Sequence, residues 1–231
     1  VRHVVRRGGV MPTITPEQSR IWFSIRCFDF ARARNFHGEI ETLAINAATE
    51  TGTQFRHQFI SETRGYLPND AIGKVLDKAL REIGIRKPSS DDMAFMKELA
   101  KACSGQHSFT LENEIRFHDE GEDYYGQDDG EVSWRVPLGR VNWAYPKEIP
   151  IHHWAWTALS GHPSSHHGPL AVSQALALAA VRLIIDRTLL EAANRELNQR
   201  TLGIEVDMPR IGATKTLTTD PKSFWDATWF E

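Results

Sequence analysis

The chain of 231 residues carries a formal charge of -3, with 41% hydrophobic and 25% charged residues. That length supports a sizeable core in one domain or two closely packed subdomains, and the composition excludes a disordered chain. Near-neutral charge argues against broad nonspecific nucleic-acid binding, which needs a net basic surface.

The opening residues 1–10 contain Arg6 and Arg7 with no apolar segment behind them, so export is not expected and the stretch receives no functional weight. In "TPEQ" Thr15 offers an N-cap, Pro16 a first-turn residue and Gln18 a capping-box partner. These predict a helix through Ile21, Ile25 and Phe28 to about Arg34, although "IWFSIRCFDF" has the aromatic and branched content of a strand. Ile40, Leu43, Ala44, Ala47 and Ala48 follow helical spacing, as do Ile72, Val75, Leu76, Ala79, Leu80 and Ile83 before Gly84. Phe55, Phe59 and Ile60 suggest a short helix between them, and "SSDDMAFMKELAKACSG" a capped helix near 90–103.

The period then changes to two. Phe109, Leu111, Ile115 and Phe117 alternate with polar residues, followed by Val132, Trp134, Val136 and Leu138, then Val141, Trp143 and Tyr145. They predict a three-stranded antiparallel meander whose first two strands are joined by the acidic loop "DEGEDYYGQDDGE", read as a solvated hairpin tip. From Pro169 to Arg200 the residues Val172, Leu176, Ala179, Leu183, Leu190, Ala193 and Leu197 mark one long buried helix, with Asp186 in the same register. Its apolar run is interrupted by Ser173, Gln174 and Arg182, so no membrane span is expected. The tail ends in an aromatic cluster, Phe224, Trp225, Trp229 and Phe230, read as a lid on the domain's own core. The fold class is therefore α+β: a mainly helical N-terminal half, the meander and the long helix. A division into residues 11–105 and 106–231, or one single domain, accommodates it.

Five of the ten histidines fall between His152 and His167. A transition metal takes three or four nitrogen, sulfur or carboxylate ligands, with an open position for water where it is catalytic. His152, His162 and His166 are the candidate ligands for zinc, iron or manganese, with Asp186 and His153 as catalytic groups. No HExxH, HxE with PCxxC, or other strong signature accompanies them. In a different reading, Ser164, Ser165 and His167 bind an anion at the start of the long helix. In a third, the imidazoles pack on Trp154 and Trp156 and bond to backbone.

"RARNFH" places Arg32 and His37 in an R-x4-H arrangement, and over those six residues it resembles the motif of HEPN ribonucleases. The resemblance implies metal-free RNA cleavage by the two, across a dimer, though Ala33 stands where a polar residue commonly follows the arginine. Cys103 has His107 close in sequence, but both cysteines read as core thiols, which suits a cytoplasmic setting. The sequence thus points to a metal-dependent hydrolase of a small molecule or phosphoester, set against a non-catalytic binding or assembly protein that can form a homo-oligomer.

Overall fold

The computed structural model describes residues 1–27, 29–104, 110–111, 114–117 and 128–212. Two antiparallel strands, β1 (Arg2–Arg7) and β2 (Arg20–Ser24), are followed by seven α-helices: α1 (Phe30–Thr51), α2 (Asp70–Ile83), α3 (Ser90–Ser104), α4 (Asp128–Ser133), α5 (Trp154–Ser160), α6 (His167–Ile185) and α7 (Arg187–Arg200). A single 3-10 turn, Pro163–Ser165, precedes α6. The chain divides into two compact units, one of Val1–Leu67, Glu122–Arg135 and Glu205–Glu231, the other of Pro68–Gly121 and Val136–Ile204.

In the first unit, Val4 faces Trp22 and Val5 faces Ile21 across the β1–β2 pair. The segment predicted to be helical from Thr15 is therefore a strand, because a partner at residues 2–7 satisfies its branched and aromatic side chains better than a local cap does. Helix α1 begins later, where the Asp29 carboxylate accepts a hydrogen bond from the Ala31 N–H, and ends at Gly52 in the left-handed region, φ 68°. The stretch after it, through Phe55 and Phe59, is not helical.

A buried guanidinium organises the rest of this unit. Arg64, only 4% exposed, donates to the Glu131 carboxylate at 2.9 Å and to the Asp207 carbonyl at 3.1 Å, and pairs with the Asp207 carboxylate. The Arg64 N–H also donates to Glu131, at 2.6 Å. Beside it, Arg34 donates to Glu62 at 2.6 Å and to Asp207 at 3.2 Å, and Arg210 donates to Glu62 at 2.8 Å. Phe30 lies under both Arg34 and Arg64, 4.5 and 4.9 Å from its ring centre. Four segments distant in sequence, at residues 30–34, 62–64, 131 and 207–210, are thereby tied together.

Glu131 belongs to α4, so this part of the acidic stretch is not a hairpin tip; residues 118–127 lie outside the described residues. Gly130 is required there, since a Cβ would collide with the Arg64 carbonyl. The Trp134 indole donates to the Gly65 carbonyl at 2.9 Å.

The α+β expectation fails at the meander. Among the described residues the only sheet is β1–β2, and the fold is mainly helical. Residues 108–109, 112–113 and 118 of the first expected strand lie outside the described residues, the second runs into α4, and the third is irregular. Pro137, Pro146 and Pro150 remove ladder donors there. The alternating apolar residues dock separately: Val141 onto the α2 core, Trp143 against Gly168, and Tyr145 edge-on to Trp156 at 4.1 Å.

In the second unit, α2 behaves as its periodicity predicts. Ile72, Val75, Leu76 and Ala79 are buried against Ala175 and Ala179 of α6 and Ala193 of α7, the alanines giving close helix approach. The N-terminus of α2 is held by Asn69, whose carbonyl accepts from the Ile72 N–H, and by Glu196, which accepts from the Asp70 and Ala71 N–H groups at 2.8 Å each. The expected long helix is broken: Asp186 ends α6 and caps α7, accepting from the Thr188 N–H at 3.0 Å and hydroxyl at 2.6 Å. Leu176, one of the predicted core leucines, is 46% exposed, while Ala171, Val172, Ala175 and Ala179 are buried. By length and composition the stretch Pro163–Ile185 also suits a membrane span, with 22% of its apolar window buried; its alanine face packs on α2.

Replacing Arg64 with Ala removes the guanidinium that pairs with both Glu131 and Asp207, leaving Glu131 the residue 64 N–H and Arg135 at 3.9 Å, and a loss of about 3–5 kcal/mol is expected in denaturant unfolding. Arg81→Ala, which removes an exposed pair with Asp77, should leave stability nearly unchanged. Burial would raise the Glu62 carboxyl, but hydrogen bonds from Arg34 and Arg210 outweigh it and hold it down to about 2. Its stabilisation is therefore full above the unfolded value of about 4.3 and lost as pH falls toward 2. Glu62→Gln should flatten that acid limb in a pH series of unfolding curves.

Candidate functional site

The histidine segment turns three times between Ile151 and Gly168, and two of the turns begin on an imidazole. His153 is the N-cap of α5, its Nδ1 accepting from the Ala155 N–H at 3.3 Å. His162 caps the 3-10 turn, with Nδ1 accepting from the Ser164 N–H at 3.2 Å and the Ser164 hydroxyl 2.8 Å away. A cap needs a lone pair, so each ring carries its proton on Nε2 and is neutral while capping.

These rings sit on one face of α3. Asp92, Phe95, Leu99 and Cys103 recur at three- and four-residue steps. His162 stacks on Phe95, ring centres 3.7 Å apart and 12° from parallel. The Cys103 Sγ lies 3.6 Å from His153 Nδ1, and His167 Nε2 lies 3.7 Å from Asp92 Oδ2. Asp92 is itself bonded by the Ser89 N–H and hydroxyl, which hold its carboxyl below the usual range. Burial pushes the Cys103 thiol up, which disfavours a ready thiolate beside His153. Beneath them Met96, Leu99, Ala100, Ile149, Ala155 and Leu159 form a small core.

The other candidates fall as follows. His166 joins the 3-10 turn to α6, is exposed, and makes no side-chain cap bond. His152 is exposed with φ 65°, the one positive-φ residue other than glycine among the described residues; such a backbone costs of order 1 kcal/mol and needs the surrounding turn to hold it. His152, His153, Trp154 and Trp156 line a surface depression with Ile151 and Thr157. Ser164 is buried, and the Ser165 hydroxyl donates to the carbonyls of Ser160 and His162, so both hydroxyls are engaged by protein. Asp186 is an exposed helix cap held below the usual carboxylate range by Thr188.

Among the described residues no three His, Cys, Asp or Glu side chains gather as a metal-binding group. His152, His162 and His166 are thus not brought together as a ligand set, and the described residues do not make a complete metal shell. Arg32 and His37 are also turned to other partners: Arg32 lies over Phe36, and His37 faces His57.

No family model matches the sequence, and no solved structure matches it. A curated protein does. The chain is similar to the p-aminobenzoyl-glutamate hydrolase subunit designated B of Escherichia coli (strain K12). The two are 23% identical over 225 residues, covering 86% of this chain and 47% of that protein, so the chain spans about half the length of the curated relative it matches.

The division of labour among the histidines has a direct check. His162→Ala should cost about 1–2 kcal/mol through the lost cap and ring stacking, measured by denaturant unfolding, whereas His166→Ala should leave stability unchanged. Gly168→Ala should cost about 1–3 kcal/mol, because its Cβ would stand 2.7 Å from the Trp143 ring.

Proposed function

We propose that this chain is part of a hydrolase that cleaves the amide bond of an N-acyl amino acid of the p-aminobenzoyl-glutamate kind. The observation that carries the reading is the likeness to the p-aminobenzoyl-glutamate hydrolase subunit across 86% of the chain. The histidine segment supports it chemically. Amide hydrolysis adds water to the carbonyl carbon, breaks the C–N bond and returns a proton to the leaving amine, so it needs a group that accepts and then donates a proton. Of the five imidazoles, His153 and His162 are engaged as caps and His167 faces Asp92. His166 and His152 remain, exposed in the same segment as Trp154 and Trp156, whose faces suit an aromatic acyl group.

We assign His166 the proton-transfer role at this turn; the described residues of this chain do not complete a shell for a metal ion.

The test is release of p-aminobenzoate from p-aminobenzoyl-glutamate by the natural protein that carries this chain, with and without added zinc or manganese. Turnover is expected, with His166→Ala lowering kcat by about 100-fold or more at an unchanged melting temperature. Absence of release under every condition, or a His166→Ala variant with full activity, would overturn the assignment. Binding without turnover would favour a non-catalytic role.

A further inference from the structure

We propose that the outer face of α6 is the seat of a second folded domain of the natural hydrolase, and that the domain seated there reaches the turn that holds His166. The identity of the occupant rests on the hydrolase reading above; the seat itself rests on the helix.

The pattern is written along one side of α6. Leu170, Ser173, Ala177, Val181 and Ile184 recur at three- and four-residue steps and are all exposed. Leu176 and Ile185 widen the row, and Ile184 and Ile185 are 78% and 77% exposed. No acidic or basic residue stands on this side. Arg182, the one Asp, Glu, Lys or Arg of the helix, pairs instead with Glu82 of α2, on the side where Ala175 and Ala179 pack.

The other helices of the same unit treat solvent differently. Helix α2 turns Lys74, Lys78 and Arg81 outward, and α7 turns Arg187, Glu191 and Arg195 outward. A solvated helix face carries such charges, whereas a helix that is apolar on both sides is one that is covered on both. Even the hydroxyl in the row is put away, since Ser173 donates to the Pro169 carbonyl at 2.8 Å within the helix. Gln174 is the one polar side chain left over. Ala177 and Ala180 sit within the row, where small side chains allow a partner to approach closely.

A bilayer is the other apolar environment, and α6 does not suit it. A membrane span puts its whole circumference in lipid, while one side of α6 is held in the α2 core with Arg182 in an ion pair. A helix lying in the membrane surface carries lysine and arginine opposite its apolar face, and α6 has no lysine and the single, paired arginine. A protein surface fits better, and one of matching origin is at hand. The match covers 47% of the Escherichia coli subunit, so more than half of that protein has no counterpart in these 231 residues, a remainder large enough for a domain.

His166 continues the row one turn before Leu170. Its carbonyl accepts from the Leu170 N–H at 3.2 Å, and its side chain is exposed. A domain lying along α6 from Ile184 to Leu170 therefore ends against His166 and shields that turn from water.

Cysteine labelling of the natural protein that carries this chain tests this. Ala177→Cys and Ile184→Cys report the face, and Arg195→Cys on α7 is the exposed control. Each is followed by the mass of its own peptide, so Cys27 and Cys103 do not interfere. Maleimide is expected to modify Arg195→Cys faster than either α6 variant by about tenfold or more, at every protein concentration and without lipid. Equal rates would overturn the proposal. So would protection that vanishes on dilution as the mass halves, the mark of a second copy, or protection that needs added phospholipid vesicles, the mark of a membrane. Release of p-aminobenzoate is read separately: protection without release supports the seat and sinks the hydrolase reading, whereas release without protection sinks the seat alone.

Discussion

The turn from Ile151 to Gly168 depends on imidazole nitrogens acting as hydrogen-bond acceptors for backbone. An N-cap is usually a short oxygen-bearing side chain, and here His153 and His162 take that place. A ring is larger than a hydroxyl, so each cap also needs a surface to lie on, and α3 supplies one through Phe95 and Cys103. The same contacts that start α5 and the 3-10 turn therefore fasten them to α3 and set where α6 begins. His166 stands at the point these contacts define, exposed and free of a cap, which is why the proposed proton-transfer role falls to it. Structure and proposed chemistry are divided among neighbouring residues of one type by which nitrogen each has left.

A different constraint governs the first unit. Its helix α1 has no buried residue, so apolar burial contributes little there, and Arg64 with its carboxylate partners supplies the cross-links. A buried guanidinium is stable only while fully partnered, which makes the placement of Glu131 and Asp207 around Arg64 a condition of that unit's order. The His37–His57 pair adds a second joint between α1 and the following strand-like stretch.

Much of the helical content was legible in the sequence. The spacing of Ile72, Val75, Leu76 and Ala79 with Gly84 behind them identified α2, and the capping residues and terminal glycine identified α3. What failed did so for non-local reasons. "TPEQ" is a sound local helix start, overridden by strand pairing with residues ten to twenty positions earlier. The alternation from Val141 to Tyr145 reflects docking onto separate helices, not a sheet. Asp186 fitted the apolar register of one long helix, while the Asp-x-Thr pattern that marks a cap pointed the other way. At the site, the density of histidines was plain but not their uses: capping depends on which nitrogen faces which N–H. The α3 stripe of Asp92, Phe95, Leu99 and Cys103 was a readable signal of the surface they lie on. The His37–His57 and Arg64 contacts join residues whose proximity no local pattern encodes.

The central claim is that His153 and His162 are neutral caps with a bare Nδ1, and that His166 is not. The most direct measurement is a long-range proton–nitrogen NMR spectrum of the histidine side chains near neutral pH, assigned with single His→Ala variants. The expected result is Nε2–H tautomers with unprotonated Nδ1 for His153 and His162, and no single locked tautomer for His166. Protonated Nδ1 atoms on His153 and His162, or a His166 ring locked like theirs, would contradict it.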